Sequence, residues 1–135
     1  MNIVKDIMKT DIVAVSPETP IYEALNLLAK HKISGLPVVN KDMNVVGILS
    51  EKDVLRLLID KNNAVNKTVD DYMSRNVVCF KENDSVIDIC KFFLGSFVRR
   101  VPIIRDNKLI GIVSRRHIVE VILEARSRIS DLRYN

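Results

Sequence analysis

The chain is written twice. Displaced by 65 positions, Val4, Asp6, Met8, Val13 and Pro37 fall on Val69, Asp71, Met73, Val78 and Pro102. A one-residue deletion in a turn changes the displacement to 64, and Gly47, Ile48 and Ser50 then fall on Gly111, Ile112 and Ser114. The apolar pattern agrees almost throughout. A period this long, occurring only twice, marks a duplicated domain rather than a solenoid. Whatever one half builds, the other must build, and the two must pack together.

Each copy reads as β-α-β-β-α. Short strands are expected over 12–15 and 77–80, each followed by a polar turn. A helix follows, with Thr19 as N-cap and Pro20 at the first helical position, and with Asp84 in the N-cap place of the second copy. Ile21, Ala24, Leu25 and Leu28, and likewise Val86, Ile89, Cys90 and Phe93, recur at helical spacing. Strands over 35–39 and 45–49, and over 100–104 and 109–113, complete each sheet. A second helix opens at Ser50 or Ser114. A unit of about 60 residues buries little surface alone, so two sheets packed about a pseudo-two-fold axis are expected, in an α+β fold. The expected division is 1–64, 65–124 and a helical extension or tail at 125–135. Equivalent clefts between the copies are the natural ligand sites.

Composition narrows the function. Two cysteines and two histidines give little material for a metal site or a Cys–His nucleophile pair. Cys79 and Cys90 read as buried reduced thiols. With four glycines, no phosphate-cradling glycine-rich loop exists, so an enzyme is not expected. The start of the chain has no apolar segment of a signal peptide, and no apolar run approaches a membrane span, so the cytosol is the expected location. The net charge of +4 concentrates around Arg99, Arg100, Arg105, Lys108, Arg115 and Arg116. That cluster reads as a solvated face or as a site for a small anion. Nucleic acid would call for a longer basic stripe with stacking aromatics, which are scarce here.

Two stretches carry a family resemblance. They are Ile33-Ser34-Gly35-Leu36-Pro37-Val38-Val39 with Gly47-Ile48-Leu49-Ser50-Glu51-Lys52-Asp53, and Val98-Arg99-Arg100-Val101-Pro102-Ile103-Ile104 with Gly111-Ile112-Val113-Ser114-Arg115-Arg116-His117. In this order, twice, they resemble the CBS domains over nearly the whole chain. The resemblance implies a tandem pair, or Bateman module, that binds AMP, ADP, ATP or S-adenosylmethionine between its repeats, with no further cofactor and no metal. It also implies a homodimer that regulates another protein, here in trans.

In the family, a Ser or Thr followed three residues later by Asp opens the last helix, and that Asp holds the ribose. Ser50 and Asp53 match. The same spacing is a capping box, so a structural reading stands beside the ligand reading. Arg99, Arg100 and Arg116, with Lys52 as a weaker candidate, are expected to contact phosphates of that ligand. Val77, Val78, Val98 and Pro102 would form its adenine slot, or plain core. His117 replaces the aspartate in the second copy and cannot offer a bidentate carboxylate. That cleft, built from Ile12, Val13, Ser34, Pro37, Ser114 and His117, is therefore expected to be the weaker one. Two functions compete: a sensor of adenosine-containing ligands, and a ligand-free dimerising scaffold.

Overall fold

The computed structural model describes residues 3–60 and 66–134; the expected boundary between positions 64 and 65, and the last residue of the expected tail, lie outside them. In each copy a helix lies against its sheet. Ile21, Ala24 and Leu28 are buried in α1 (Ile21–His31), and Val86, Ile89 and Phe93 in α5 (Val86–Leu94). Their i, i+3, i+7 spacing puts them on one helix face. β1 (Gly35–Val39) pairs antiparallel with β2 (Val45–Ser50), and β4 (Arg100–Arg105) with β5 (Lys108–Ser114). Both ladders slip in register at equivalent places, between Val38 and Val39 and between Ile103 and Ile104.

Pro37 and Pro102 lie fully buried in β1 and β4, where a missing N–H would ordinarily break the ladder. Pro37 opposes Ile48, whose own N–H and carbonyl both serve Ser74 at 2.9 Å. No ladder bond is therefore asked of Pro37. Pro102 opposes Ile112, which serves Lys9 in the same way at 2.9 Å.

Those two bonds reveal an exchange. Residues 3–10 lie on the second repeat, and the segment before the second copy's sheet lies on the first. Val4 and Lys5 donate backbone N–H groups to the carbonyls of Asp84 and Glu82 at 2.9 and 2.8 Å. Val69 and Asp70, the first two residues of the short helix α4 (Val69–Tyr72), donate to the Thr19 and Pro17 carbonyls at 2.9 and 3.0 Å. Val4 and Ile7 belong to the second repeat's core, Val69 and Tyr72 to the first's. The arms thus do pack over a sheet as Met8 and Met73 suggest, but each over the other repeat's. Gly111 makes room for this: a Cβ there would stand 2.6 Å from Met8 Sδ, and one on Gly47 would stand 2.8 Å from Met73 Sδ. The hairpin ends also meet, where Leu109 donates to the Met43 carbonyl at 3.0 Å and Lys108 Nζ to that of Asp42 at 2.7 Å.

The exchange corrects the expected first strands. Over 12–15 only Val15 bridges, in parallel to Val38, and the other strand shrinks to β3 (Phe80–Lys81), parallel to β4. The chain here is crossing from one repeat to the other and joins the ladder only at its end. The expected caps are corrected too. The Thr19 hydroxyl accepts from the Ser16 N–H at 3.0 Å, and Asp84 accepts from the Lys81 N–H at 2.7 Å, so both tie down the preceding turn. Pro20 and Ser85 hold the N-cap positions, Ser85 accepting from Ile87 at 3.1 Å. Cys79 and Cys90 are free and half-buried rather than buried. The last helix of the first copy is two short turns, α2 (Glu51–Val54) and α3 (Arg56–Ile59), whereas α6 (Arg115–Tyr134) runs for 20 residues.

Candidate functional site

The two copies differ most where their last helices begin. Ser50 and Asp53 form a capping box: Asp53 Oδ2 accepts from the Ser50 N–H at 2.9 Å and its hydroxyl at 3.0 Å, while Ser50 Oγ accepts from the Asp53 N–H at 3.3 Å. In the second copy Ser114 Oγ accepts from the His117 N–H at 3.1 Å, but no carboxylate returns the bond. His117 turns elsewhere. Its Nε2 donates to the Ile7 carbonyl of the exchanged arm. A carbonyl only accepts, so Nε2 carries the hydrogen. Nδ1 stands 3.5 Å from Glu120 Oε2, close enough for an ion pair and too far for a hydrogen bond.

The first copy holds the equivalent carbonyl by other means. Arg56 Nη2 donates to the Tyr72 carbonyl at 2.6 Å, and its guanidinium stacks 5.3 Å from the Tyr72 ring centroid. Arg56 and Glu120 occupy matching positions, as do Asp53 and His117. Each arm is clamped by a side-chain nitrogen donor from the neighbouring helix, the two donors lying one helical turn apart in matching sequence positions.

A cavity of about 870 Å³ opens at the His117 end, within the size range of small-ligand clefts. Val13 and Ser34 line it from the first repeat, Arg99, Arg100, Ser114, Arg116 and His117 from the second. The structure therefore brings the three arginines together with the cleft of Val13, Ser34, Ser114 and His117, not with Ser50, Lys52 and Asp53, which do not line this cavity. Val77, Val78, Val98 and Ile12 do not line it either, and Pro37 and Pro102 are closed off inside their strands. Val78 and Val98 are exposed, at 48% and 39%.

Several lining residues were not legible in the sequence. Lys9 and Asp11 arrive because the arm crosses over; Lys32 because it ends α1 in the left-handed conformation, φ 52°. Glu51 and Glu120 complete the charged wall beside Arg115, a member of the basic cluster seen in the sequence, whose Nη2 also donates to the Phe93 carbonyl at 2.9 Å. Burial pulls the Arg100 guanidinium down from its ordinary value, and its enclosed Nε finds no hydrogen-bond partner among the described residues. Among those residues no group of three or more His, Cys, Asp and Glu could hold a metal ion, and no helix is long and apolar enough to cross a membrane.

Two matching helix-and-sheet units, sharing arms and facing each other across a cation-rich cavity, define a tandem-repeat module of the α+β class. The CBS-domain family model matches residues 4–60 and 69–124, and the chain belongs to that family as a tandem pair. It is 36% identical over 116 residues to inosine-5′-monophosphate dehydrogenase of Methanocaldococcus jannaschii, covering 85% of this chain and 22% of that protein. It spans 42% of MJ1225 from the same organism, at 25% identity, and 91% of MJ1426, at 30% identity. Similar solved structures include CBSX2 in complex with AMP, at a TM-score of 0.82 and 30% identity over 93% of this chain and 99% of that one. Another is the CBS domain pair of MJ0100 in complex with 5′-methylthioadenosine and S-adenosyl-L-methionine, at 0.81 and 27% over 93% and 98%.

Proposed function

We propose that this chain is a regulatory binding module rather than a catalyst. An adenosine-containing ligand (AMP, ADP, ATP or S-adenosylmethionine) occupies the cavity between the repeats, and a partner protein in the cytosol reads the occupancy. The observation that carries this reading is the construction of the cavity. Its wall takes Val13 and Ser34 from one repeat, Arg100, Ser114 and Arg116 from the other, and Lys9 from the exchanged arm. A ligand touching all three biases their relative placement by its differential affinity for the two arrangements. The AMP complex of CBSX2 and the adenosyl complex of the MJ0100 pair support the choice of ligand class.

The Asp53 cleft remains a second, ribose-type site in this reading. Both hydrogen bonds that the Asp53 carboxylate accepts in the cap use Oδ2, leaving Oδ1 for a diol. Calorimetric titration of the full chain with the four ligands tests the function. At least one binds below millimolar concentration; if none does, the sensor reading fails.

A dimerising role has its own support. Leu55, Leu58 and Ile59 are exposed, and so are Val119, Ile122 and Leu123 at the matching positions of the second copy. Leu58 is 92% exposed. Two equivalent apolar patches fit a second copy of the chain packed across the pseudo-two-fold axis. Sedimentation then gives a dimer that the double variant Leu58→Asp, Ile122→Asp dissociates; a monomer in the parent chain ends the proposal.

A further inference from the structure

The charge of the cavity is lopsided. Lys9, Lys32, Arg99, Arg100, Arg115 and Arg116 line it, against the carboxylates of Asp11, Glu51 and Glu120. Six cations over three anions leave a surplus of three positive charges. Gathered on one concave surface, such a surplus raises the positive potential inside the cleft. The first turn of the 20-residue helix α6 supplies Arg115, Arg116 and His117 to the same wall and adds the positive end of its dipole. Arg100 keeps an enclosed Nε donor beside these groups, without a hydrogen-bond partner among the described residues.

The diol-binding position has a different occupant. His117 stands where the first copy has Asp53, and its Nε2 is committed to the Ile7 carbonyl. An imidazole held this way offers no pair of acceptor oxygens to a ribose. Its work is to keep the arm, and with it Lys9 and Asp11, in the cavity wall.

We propose that this cavity recognises a run of phosphates by charge and does not require a ribose diol, with His117 acting as the clamp of the N-terminal arm. This rests on the reading of the cavity as the ligand site. A polyphosphate, whether free or carried on a nucleoside, carries more negative charge than AMP. Adenosine carries none. S-adenosylmethionine, with a sulfonium and an ammonium against one carboxylate, is a net cation and is repelled. Affinity accordingly falls from ATP and inorganic tripolyphosphate to AMP, and vanishes for adenosine and S-adenosylmethionine.

The test is calorimetry at fixed ionic strength, in chelator, on the full chain and on Arg100→Ala, Arg116→Ala and Arg75→Ala. Arg75 is exposed, lies outside the cavity and pairs with Asp70, so its variant controls for loss of one charge anywhere. Tripolyphosphate binds once per chain, competes with ATP, and is at least about tenfold tighter than AMP. Arg100→Ala and Arg116→Ala each weaken ATP and tripolyphosphate by about tenfold or more, the size expected of one lost charge-assisted contact; Arg75→Ala does not. If AMP or S-adenosylmethionine binds in an Arg100-dependent way while tripolyphosphate neither binds nor competes, the phosphate inference is overturned and the ligand reading stands. If tripolyphosphate alone binds, the inference stands and the adenosine reading falls. If no compound binds, both fall.

Discussion

The starts of the two last helices are built from one sequence pattern and do different work. In the first copy the third residue of the helix is Asp53, closed onto Ser50 as a cap, and Arg56 reaches over to hold the Tyr72 carbonyl. In the second, His117 takes the aspartate's place and reaches the Ile7 carbonyl itself, while Glu120 stands where Arg56 would be. Both copies supply a donor for the carbonyl of an exchanged arm, from positions one helical turn apart. His117 is therefore not simply a lost carboxylate. With Nε2 held by that carbonyl, the imidazole offers no acceptor pair at this position, and in our proposal the charge of the neighbouring arginines defines the cleft.

The largest effects test whether the exchanged arms carry equivalent weight in the two cores. Tyr72→Ala lowers unfolding stability by about 3–5 kcal/mol and Ile7→Ala by about 2–4 kcal/mol, measured by urea denaturation. Both side chains are buried in the repeat that they do not precede in sequence. A cost below about 1 kcal/mol for Ile7→Ala would mean that the N-terminal arm is not part of the second core.

The glycine notches come next. A Cβ on Gly47 meets the Ser74 carbonyl oxygen at 2.9 Å besides Met73 Sδ, whereas the nearest backbone atom for Gly111 is the Lys9 oxygen at 3.2 Å. A methionine tip can move aside and backbone cannot. Both Gly→Ala variants cost about 1–3 kcal/mol, Gly47→Ala the more. The reverse order in thermal unfolding would show that the two arms are not seated alike.

Removing a clamp costs less, about 1 kcal/mol, but it localises. His117→Ala speeds amide hydrogen exchange at Met8 and Lys9, and Arg56→Ala speeds it at Met73 and Ser74. Crossed or uniform effects would contradict the pairing of clamps with arms. The smallest difference belongs to a contact that only the second copy has. Arg105 Nε donates to Glu82 Oε1 at 2.9 Å, and these hydrogen bonds hold the Glu82 carboxyl below the usual range against an opposing push from burial. A depressed carboxylate stabilises above its unfolded value and loses that contribution as pH falls through the folded one. The stability advantage of the parent over Arg105→Ala therefore shrinks on acidification below the ordinary glutamate range. An advantage that grows there would reverse the sign.

The sheets and the first helix of each copy could be read from apolar spacing, because β1, β2, β4 and β5 bury their own residues within one repeat. The exchange could not. The 65-residue displacement is the same whichever repeat an arm packs on, and the bonds that decide it run between backbone atoms such as Val4 N–H and the Asp84 carbonyl. That blind spot propagated to the site. Arg99, Arg100 and Arg116 stand out in the sequence as a basic cluster, but their spacing does not show which cleft they line. Their true neighbours include Lys9 and Asp11, which only the crossed arm brings in. Thr19 and Asp84 misled for a simpler reason. A hydroxyl or carboxylate before a helix can close the preceding turn as readily as cap the helix, and here both close the turn.

Whether ligand recognition has moved to the second copy's cavity is settled most directly by the ATP affinity of two variants measured side by side. Arg100→Ala weakens ATP by about tenfold or more, and Asp53→Ala changes it by less than about threefold. A large loss in Asp53→Ala with Arg100→Ala unaffected would place the ATP site in the first copy's cleft and contradict the division of labour between the repeats.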